Sequence, residues 1–207
     1  IIMAQVAADG IRQAFMNSFS THAETLAALQ RMAPSPMPLM FLQNKFPKIR
    51  CADLAPAEWP AQRELEWNPP GHGDIYTAIV TSGALDRLLE EGREYALICN
   101  SDNLGATLDR RILGYLATRR IPFLMEVAQR RPVDFKGGHL AVARASGRLI
   151  LRESAQCPPG CRAGDIQVYR YFNTNNLWVH LPFLKDLVAR DGTVRLPMIV
   201  NPKHLDP

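Results

Sequence analysis

The sequence predicts an α/β fold in which a mainly parallel sheet is flanked by helices and carries a hairpin insertion. Short apolar segments of strand length alternate along the chain with longer segments whose apolar residues recur at helical spacing. This alternation is typical of parallel sheets that are covered on both faces. Polar and glycine-rich loops follow the apolar segments, where such sheets bind ligands. We predict a single domain over residues 1–207.

Local signals define the elements in the first half of the chain. Thr21 and the glutamate three residues later fit a capping box that begins a helix. The apolar run Met37–Leu42 is predicted to be a buried strand, and the polar segment Asp53–Trp67 to be irregular. A second helix is predicted to begin at Asp74, which has an N-cap side chain, and to end at Gly92, where a glycine cap belongs.

The second half continues the alternation. Its predicted elements, in chain order, are a strand at Tyr95–Cys99, a helix at Leu104–Arg120, a strand at Phe123–Val127, a hairpin of His139–Ala143 and Leu149–Arg152 around a Ser-Gly turn, a strand at Asn175–Val179, a helix at Pro182–Arg190 and a strand at Arg195–Val200.

The composition excludes several classes of protein. The net charge is +4, but lysine and arginine are not gathered into a block, which argues against a nucleic-acid surface. No segment approaches the ~20 apolar residues that span a membrane, and no membrane partner is expected. The positive charge favours a small anionic ligand, and the oligomeric state is left open.

The four cysteines indicate a reducing environment. Cys99 ends an apolar run and is predicted to be a core thiol. Cys157 and Cys161 form a lone pair, without the two further ligands that a zinc site needs at suitable spacing. We therefore predict free thiols and a cytoplasmic location.

Polar residues follow the predicted strands at their carboxyl ends. Asn100, Ser101 and Asp102 come after one strand, Glu126 ends the next, and the cluster at 173–176 contains three asparagines. In this type of sheet, they would gather at one rim. Asp102 has two interpretations at this stage: a carboxylate that holds Mg²⁺ together with water and phosphate oxygens, or a cap for the helix that follows.

Three glycine or amide motifs stand apart from the regular elements. The segment Pro-Pro-Gly-His-Gly-Asp at residues 69–74 combines two rigid prolines, a glycine turn and a predicted helix N-terminus. A helix N-terminus behind a glycine turn suits an anionic ligand. Lys136-Gly-Gly138 brings an ammonium group and a bare backbone together. For both motifs, and for the asparagine cluster, an ordinary surface turn is the alternative.

Taken in order, these motifs resemble those of the UTP–glucose-1-phosphate uridylyltransferase family. The resemblance covers about Phe15 to Pro207 and is carried by Phe-Leu-Gln-Asn-Lys at 41–45, the segment at 69–74, Asn-Ser-Asp at 100–102, Lys-Gly-Gly at 136–138 and the asparagines at 173–176. It implies a glycosyltransferase-A-like nucleotidyltransferase domain. The implied reaction converts UTP and glucose 1-phosphate into UDP-glucose and pyrophosphate, with Mg²⁺ as cofactor.

The resemblance also implies roles for particular residues. These are uridine contacts by Gln43 and Gly71, a sugar-phosphate contact by His72, nucleotide and metal contacts by Asn100, Ser101 and the catalytic Asp102, phosphate contacts by Lys136 and Gly138, and sugar contacts by Glu153 and Asn175.

The sequence departs from the family pattern at both ends. The family's glycine-rich loop and its lysine are not found before Phe15, and its C-terminal β-helical domain is not found either. We therefore expect a partial catalytic domain with impaired turnover. Two alternatives stay open: a UDP-N-acetylhexosamine pyrophosphorylase, against which His72 and Asp74 argue, and a non-catalytic module that binds sugar nucleotides.

Overall fold

The computed structural model describes residues 10–134, 137–158, 160–162, 165–200 and 202. They form helices α1 (His22–Met32), α2 (Ile75–Thr81), α3 (Ala84–Glu90), α4 (Arg110–Arg119) and α5 (Leu181–Asp191), and strands β1 (Ala14–Asn17), β2 (Leu39–Leu42), β3 (Phe46–Pro47), β4 (Trp67–Asn68), β5 (Tyr95–Ile98), β6 (Phe123–Gln129), β7 (His139–Val142), β8 (Leu149–Arg152) and β9 (Tyr171–His180). The α/β class is therefore confirmed. The chain divides into two compact units, one up to Glu94 with Leu181–Leu196, and one over Tyr95–His180 with the residues after Leu196.

The first unit is built around helices α2, α3 and α5. Its buried side chains include Leu29, Phe41, Ile79, Leu85, Leu88, Leu181 and Leu184, and each contributes about 1.5–3 kcal/mol by leaving water. Strands β1 and β2 pair in parallel, with Asn17 opposite Leu42. The helix predicted from Asp74 to Gly92 is interrupted, because Gly83 adopts a left-handed conformation (φ 74°) between α2 and α3.

The second unit is an antiparallel sheet, and the prediction of a mainly parallel sheet is wrong. Strand β9 pairs antiparallel with β5 on one side and with β6 on the other. Strands β5 and β6 therefore run in the same direction, joined through α4, which is the pattern that the sequence detects. The position between them is filled by β9, which comes later in the chain. Among the described residues, only β1 and β2 pair in parallel.

The hairpin prediction is confirmed, and the last predicted strand is wrong. Strands β7 and β8 pair from His139 opposite Arg152 to Val142 opposite Leu149, and the turn closes with the Ala143 amide donating to the Arg148 carbonyl at 2.9 Å. Residues 195–200 form no strand. They find no strand partner in the described part of the chain, and Met198 is 86% exposed.

Three local predictions fail because other contacts are available. Thr21 Oγ1 accepts the backbone amide of Ser18 at 3.1 Å and does not cap α1. The helix predicted from Leu104 begins only at Arg110, after the carboxylate of Asp109 caps α4. Cys99 is exposed and is not a core thiol.

Candidate functional site

A tight loop follows β5 and carries Asp102. The Asn103 amide donates to the Asn100 carbonyl at 3.2 Å, and the Leu104 amide donates to the Asp102 carbonyl at 3.1 Å. The exposed carboxylate of Asp102 makes no hydrogen bond or ion pair with any residue that the structure describes. Helix α4 is capped by Asp109, which accepts the Arg111 amide at 2.8 Å. The cap interpretation of Asp102 is therefore excluded.

The exposed Asp102 carboxylate, which has no partner among the described residues, is the type of ligand that Mg²⁺ takes. This ion uses one or two protein carboxylates and completes its shell with water and phosphate oxygens. The described residues contain no group of three or more His, Cys, Asp or Glu side chains that would form a closed metal cage. An ion at Asp102 would therefore keep most of its positions for water and for the phosphates of a ligand.

Asn175 lies beside Asn100, as expected for residues at one rim. Its Nδ2 donates to Asn100 Oδ1 at 2.6 Å. The contact depends on a β-bulge, because the register of β6 and β9 shifts between Glu126 and Val127 and Asn175 adopts a left-handed backbone (φ 59°). Asparagine tolerates this conformation better than most residues. The bulge re-aims the side chain toward the loop after β5.

The Glu126 carboxylate holds two side chains of β9, a role that the sequence did not reveal. Its Oε1 accepts the indole N–H of the buried Trp178 at 2.6 Å, and its Oε2 accepts Asn176 Nδ2 at 3.2 Å. Asn176 Oδ1 in turn accepts Asn103 Nδ2 at 3.1 Å. Asn176 and Trp178, which stand two residues apart on β9 and so share one face of the sheet, were the available signal.

Gly138 and Glu153 are direct neighbours in the second unit. A Cβ on Gly138 would lie 2.4 Å from Glu153 Oε1, so the carboxylate packs against the bare glycine backbone. The Gly138 carbonyl accepts the Asn173 amide at 3.0 Å, which ties this pair to the asparagine cluster. Lys136, predicted to contact phosphate, lies outside the described residues.

Arg130 and His139 were not singled out by sequence. The buried Arg130 guanidinium donates to the carbonyls of Asp134 at 3.1 Å and Gly137 at 2.8 Å, and so holds the loop before Gly138. His139 is fully buried, and its Nε2 accepts Arg152 Nε at 3.1 Å. Burial and the charges of Arg152 and Arg130 lower the pKa of His139, which keeps the imidazole neutral.

In the first unit, the segment at 69–74 forms a turn followed by a short 3-10 helix. Gly71 has a backbone conformation (φ 97°, ψ −166°) that favours glycine, and the exposed His72 begins the 3-10 helix. Asp74 does not cap α2 with its side chain. Its carboxylate instead accepts the backbone amide of Asn44 at 2.6 Å and Asn44 Nδ2 at 2.8 Å.

Gln43 lies in the same unit as Gly71 and His72 and directly precedes Asn44. Its backbone amide donates to the Asn17 carbonyl at 2.9 Å, which extends the β1–β2 pairing by one residue. Its Oε1 is buried and accepts no hydrogen bond from the described residues. The side chain therefore holds an unused acceptor.

The predicted site residues are divided between the units. Gln43, Gly71 and His72 belong to the first unit, and Asn100, Ser101, Asp102, Gly138, Glu153 and Asn175 to the second. Within the second unit, the Asn100–Asn175 and Gly138–Glu153 pairs are in contact. Amides, an open carboxylate and glycine turns at strand ends are features of α/β proteins that bind nucleotides and phosphorylated ligands.

Comparison with known proteins defines the family. The family model described as UTP–glucose-1-phosphate uridylyltransferase matches residues 9–207, and the chain belongs to this family. A relative of that name from Solanum tuberosum is 39% identical over 195 residues, which cover 92% of this chain and 40% of the relative. A probable UTP–glucose-1-phosphate uridylyltransferase from Schizosaccharomyces pombe is 37% identical, with 92% and 38% covered.

Solved structures agree with this assignment. The crystal structure of a UDP-glucose phosphorylase from Trypanosoma brucei matches with a TM-score of 0.90 and 42% identity, over 98% of this chain and 47% of that one. A variant UDP-glucose pyrophosphorylase from Leishmania major, in complex with UDP-glucose, matches with a TM-score of 0.88 and 41% identity, over 99% and 48%. The chain thus spans about 40% of the length of the curated relatives that it matches.

In the described part of the chain, no helix is both long and apolar enough to cross a bilayer.

Proposed function

We propose that this chain acts in the transfer of a uridylyl group from UTP to glucose 1-phosphate, which gives UDP-glucose and pyrophosphate. The observation that carries the proposal is the Asn100–Asn175 hydrogen bond beside the uncommitted Asp102. It supports a polar surface with an open carboxylate for an ion and amides for sugar hydroxyls. The proposal includes a glycosyltransferase-A-like nucleotidyltransferase domain and a cytoplasmic location, which four free thiols support.

In the reaction, a phosphate oxygen of glucose 1-phosphate forms a bond to the α-phosphorus of UTP. The bond from that phosphorus to the oxygen bridging toward the β-phosphate breaks, and pyrophosphate leaves with the electron pair. A phosphate monoester is largely ionised at pH 7, because its second pKa is about 6. The chain therefore needs no strong general base, and catalysis consists of alignment and charge neutralisation.

The proposed contacts differ between the two units. In the first unit, the unused Oε1 of Gln43 suits the N3–H donor of uracil, Gly71 lets the base approach its backbone, and His72 contacts the sugar phosphate. In the second unit, Asp102 would hold Mg²⁺, together with nucleotide contacts from Asn100 and Ser101. When bound, the ion would neutralise phosphate charge.

The sugar and phosphate contacts complete the proposed assignment. Asn175 and Glu153 would bind glucose hydroxyls, and the backbone at Gly138, with the preceding Lys136, would meet phosphate. Glu153 is already packed on Gly138, which supports a shared role for the two residues. Each hydrogen bond to a hydroxyl contributes about 0.5–1.5 kcal/mol net.

Calorimetric titration of the 207-residue chain tests the proposal. With Mg²⁺ present, UDP-glucose should bind about tenfold or more tightly than ADP-glucose, whose base lacks the N3–H donor, or UDP-N-acetylglucosamine. Incubation with UDP-glucose and pyrophosphate should then release UTP only slowly, because impaired turnover is expected from the sequence. Tighter binding of UDP-N-acetylglucosamine would favour an N-acetylhexosamine enzyme. Binding without turnover would favour a non-catalytic module, and no binding of any UDP-sugar would refute the proposal.

A further inference from the structure

We infer that Glu126 is a positioning residue that sets, through two amide side chains, the conformation of the loop that carries Asp102. Glu126, Asn176 and Asn103 form this amide relay. The carboxylate accepts Asn176 Nδ2 at 3.2 Å, Asn176 Oδ1 accepts Asn103 Nδ2 at 3.1 Å, and Asn103 Oδ1 accepts the Gly105 amide at 3.1 Å. All of these residues lie in the second unit.

The relay has a direction, and a carboxylate imposes it. An ionised carboxylate only accepts hydrogen bonds, whereas a carboxamide presents one acceptor oxygen and one donor nitrogen. Because Glu126 accepts from Asn176, the amide of Asn176 must turn its oxygen toward Asn103. Asn103 must then present its nitrogen to Asn176 and its oxygen to Gly105. One acceptor-only group therefore orients both amides.

Glu126 has a second donor that excludes a neutral substitute. Its Oε1 accepts the indole N–H of Trp178 at 2.6 Å, so both carboxylate oxygens face donors. A glutamine would satisfy Trp178 or Asn176 but would turn its own NH₂ toward the other donor. Trp178 is only 1% exposed, and an indole N–H without a partner at such a position is costly. Position 126 thus requires a side chain that can accept a hydrogen bond from Trp178 and from Asn176 at the same time, as a carboxylate does.

The relay ends on the loop and the bulge that form the proposed ligand surface. Asn103 also donates its backbone amide to the Asn100 carbonyl, so its orientation fixes the turn that encloses Asp102. The carbonyl of Glu126 accepts Thr174 Oγ1 at 2.9 Å, immediately before the left-handed Asn175. Glu126 therefore acts on Asp102 and Asn175 through other residues. Its effect on ligand binding rests on the proposed function.

Glu126→Gln, Asn176→Asp and the double variant test the relay. In the double variant, the glutamine oxygen accepts Trp178, its NH₂ donates to the new carboxylate, and that carboxylate still accepts Asn103 Nδ2. In Glu126→Gln alone, two N–H donors face each other between positions 126 and 176. In Asn176→Asp alone, two carboxylates face each other there. Urea unfolding should therefore show both single variants to be less stable than the double variant. Glu64→Gln, on an exposed side chain, is the matched control.

Two further measurements connect the relay with the site. The Gly105 amide and the Trp178 indole resonances should shift in Glu126→Gln and return toward their original positions in the double variant. UDP-glucose should bind about tenfold more weakly to Glu126→Gln and within about threefold of the original affinity to the double variant. UDP alone should also bind more weakly to Glu126→Gln, because the relay ends on the loop of Asp102, whose proposed contacts are to the metal and the nucleotide.

The outcomes separate the relay from the proposed function. If the double variant is no more stable than the single variants, or if the Gly105 resonance does not respond, the relay is refuted whatever ligand binds. If the unaltered chain binds UDP-glucose and Glu126→Gln binds it equally well, the positioning role is refuted. If the unaltered chain binds no UDP-sugar, the proposed function fails, while unfolding and the resonances still decide on the relay.

Discussion

The carboxylate of Asp74 joins two loops of the first unit by accepting both amides of Asn44. The backbone amide donates at 2.6 Å and the side-chain Nδ2 at 2.8 Å. Gln43 precedes Asn44, and Gly71 and His72 precede Asp74, so this one carboxylate fixes the spacing between the proposed uracil and sugar-phosphate contacts. Asp74 is therefore a positioning residue, because its contact with Asn44 sets where Gln43, Gly71 and His72 lie.

Asp74→Asn should weaken UDP binding. The asparagine retains one acceptor but turns an NH₂ toward one of the two Asn44 donors, and an unsatisfied donor costs about 1–3 kcal/mol. We expect a roughly tenfold rise in the Kd for UDP by calorimetry. Asp86→Asn, on an exposed side chain of α3 that pairs with Lys185, serves as the control. Equal affinities in the two variants would contradict a positioning role.

Asp102→Asn should impair metal-dependent turnover and leave stability almost unchanged. The side chains are nearly isosteric, and what is lost is one negative charge facing a divalent ion. We expect the rate of UDP-glucose formation to fall at least about 10²-fold, equivalent to about 2.7 kcal/mol, with partial recovery at high Mg²⁺. The matched change Asp109→Asn keeps the α4 cap and should not alter the Mg²⁺ dependence. Identical Mg²⁺ titrations for the two variants would end the metal assignment.

Asn175→Gly should weaken UDP-glucose binding more than UDP binding. Glycine keeps the left-handed backbone at φ 59° and removes only the side-chain amide. The lost sugar contact predicts about a tenfold rise in the Kd for UDP-glucose. Asn175→Ala should show the same binding defect and an additional loss of about 1 kcal/mol in unfolding free energy, because alanine is strained at positive φ. A change in UDP affinity as large as that for UDP-glucose would show that Asn175 does not contact the sugar.

The stability of the protein should fall between pH 7 and pH 5 in a way that depends on His139. Its pKa is lowered in the folded state by burial, then by Arg152 and Arg130. The unfolded chain takes up a proton below about pH 6.5 while the folded imidazole stays neutral. The contribution is therefore complete above pH 6.5 and is lost as the pH falls, by at most about 1.4 kcal/mol per pH unit. His139→Gln should flatten this slope in urea unfolding at pH 5 to 8. A parallel slope in the variant would contradict the assignment.

Gly138→Ala should displace the carboxylate of Glu153. The added Cβ would meet Glu153 Oε1 at 2.4 Å, closer than any van der Waals contact. We expect weaker UDP-glucose binding and a loss of stability, both measured against Gly137→Ala, which meets Phe172 at an ordinary 3.7 Å but is strained at φ 96°. In a Glu153→Ala background, Gly138→Ala should cost little further stability. An additive cost in that background would show that the carboxylate is not the atom displaced.

The helices and the hairpin follow from local sequence, and the sheet does not. Periodicity and turn residues predict α5 and the pairing of β7 with β8 because both depend on neighbours in the chain. The direction of the sheet depends on β9, which pairs Leu177 with Ile98 across a long separation. Nothing in the composition of Tyr95–Ile98 or Phe123–Gln129 indicates that a later strand lies between them.

The site shows the same division between local and distant contacts. The resemblance to the family identified Asn100 and Asn175, and the structure joins them. Asp74 was assigned to a helix cap because local rules favour that role, whereas its partner lies 30 residues away. Glu126 likewise acts through Asn176, 50 residues along the chain. Such roles require the fold and are not encoded in any short window.

The central place of β9 determines what a shortened chain would expose. Strands β5 and β6 depend on β9 for pairing, since neither has another partner among the described residues, whereas β7 meets β9 only where His139 lies opposite Phe172. A chain that stops before Tyr171, including a nascent one still being synthesised, would carry β5 and β6 with both edges unpaired. Unpaired strand edges recruit strands from other molecules. The ten residues of β9 thus protect the second unit from self-association as well as holding it together.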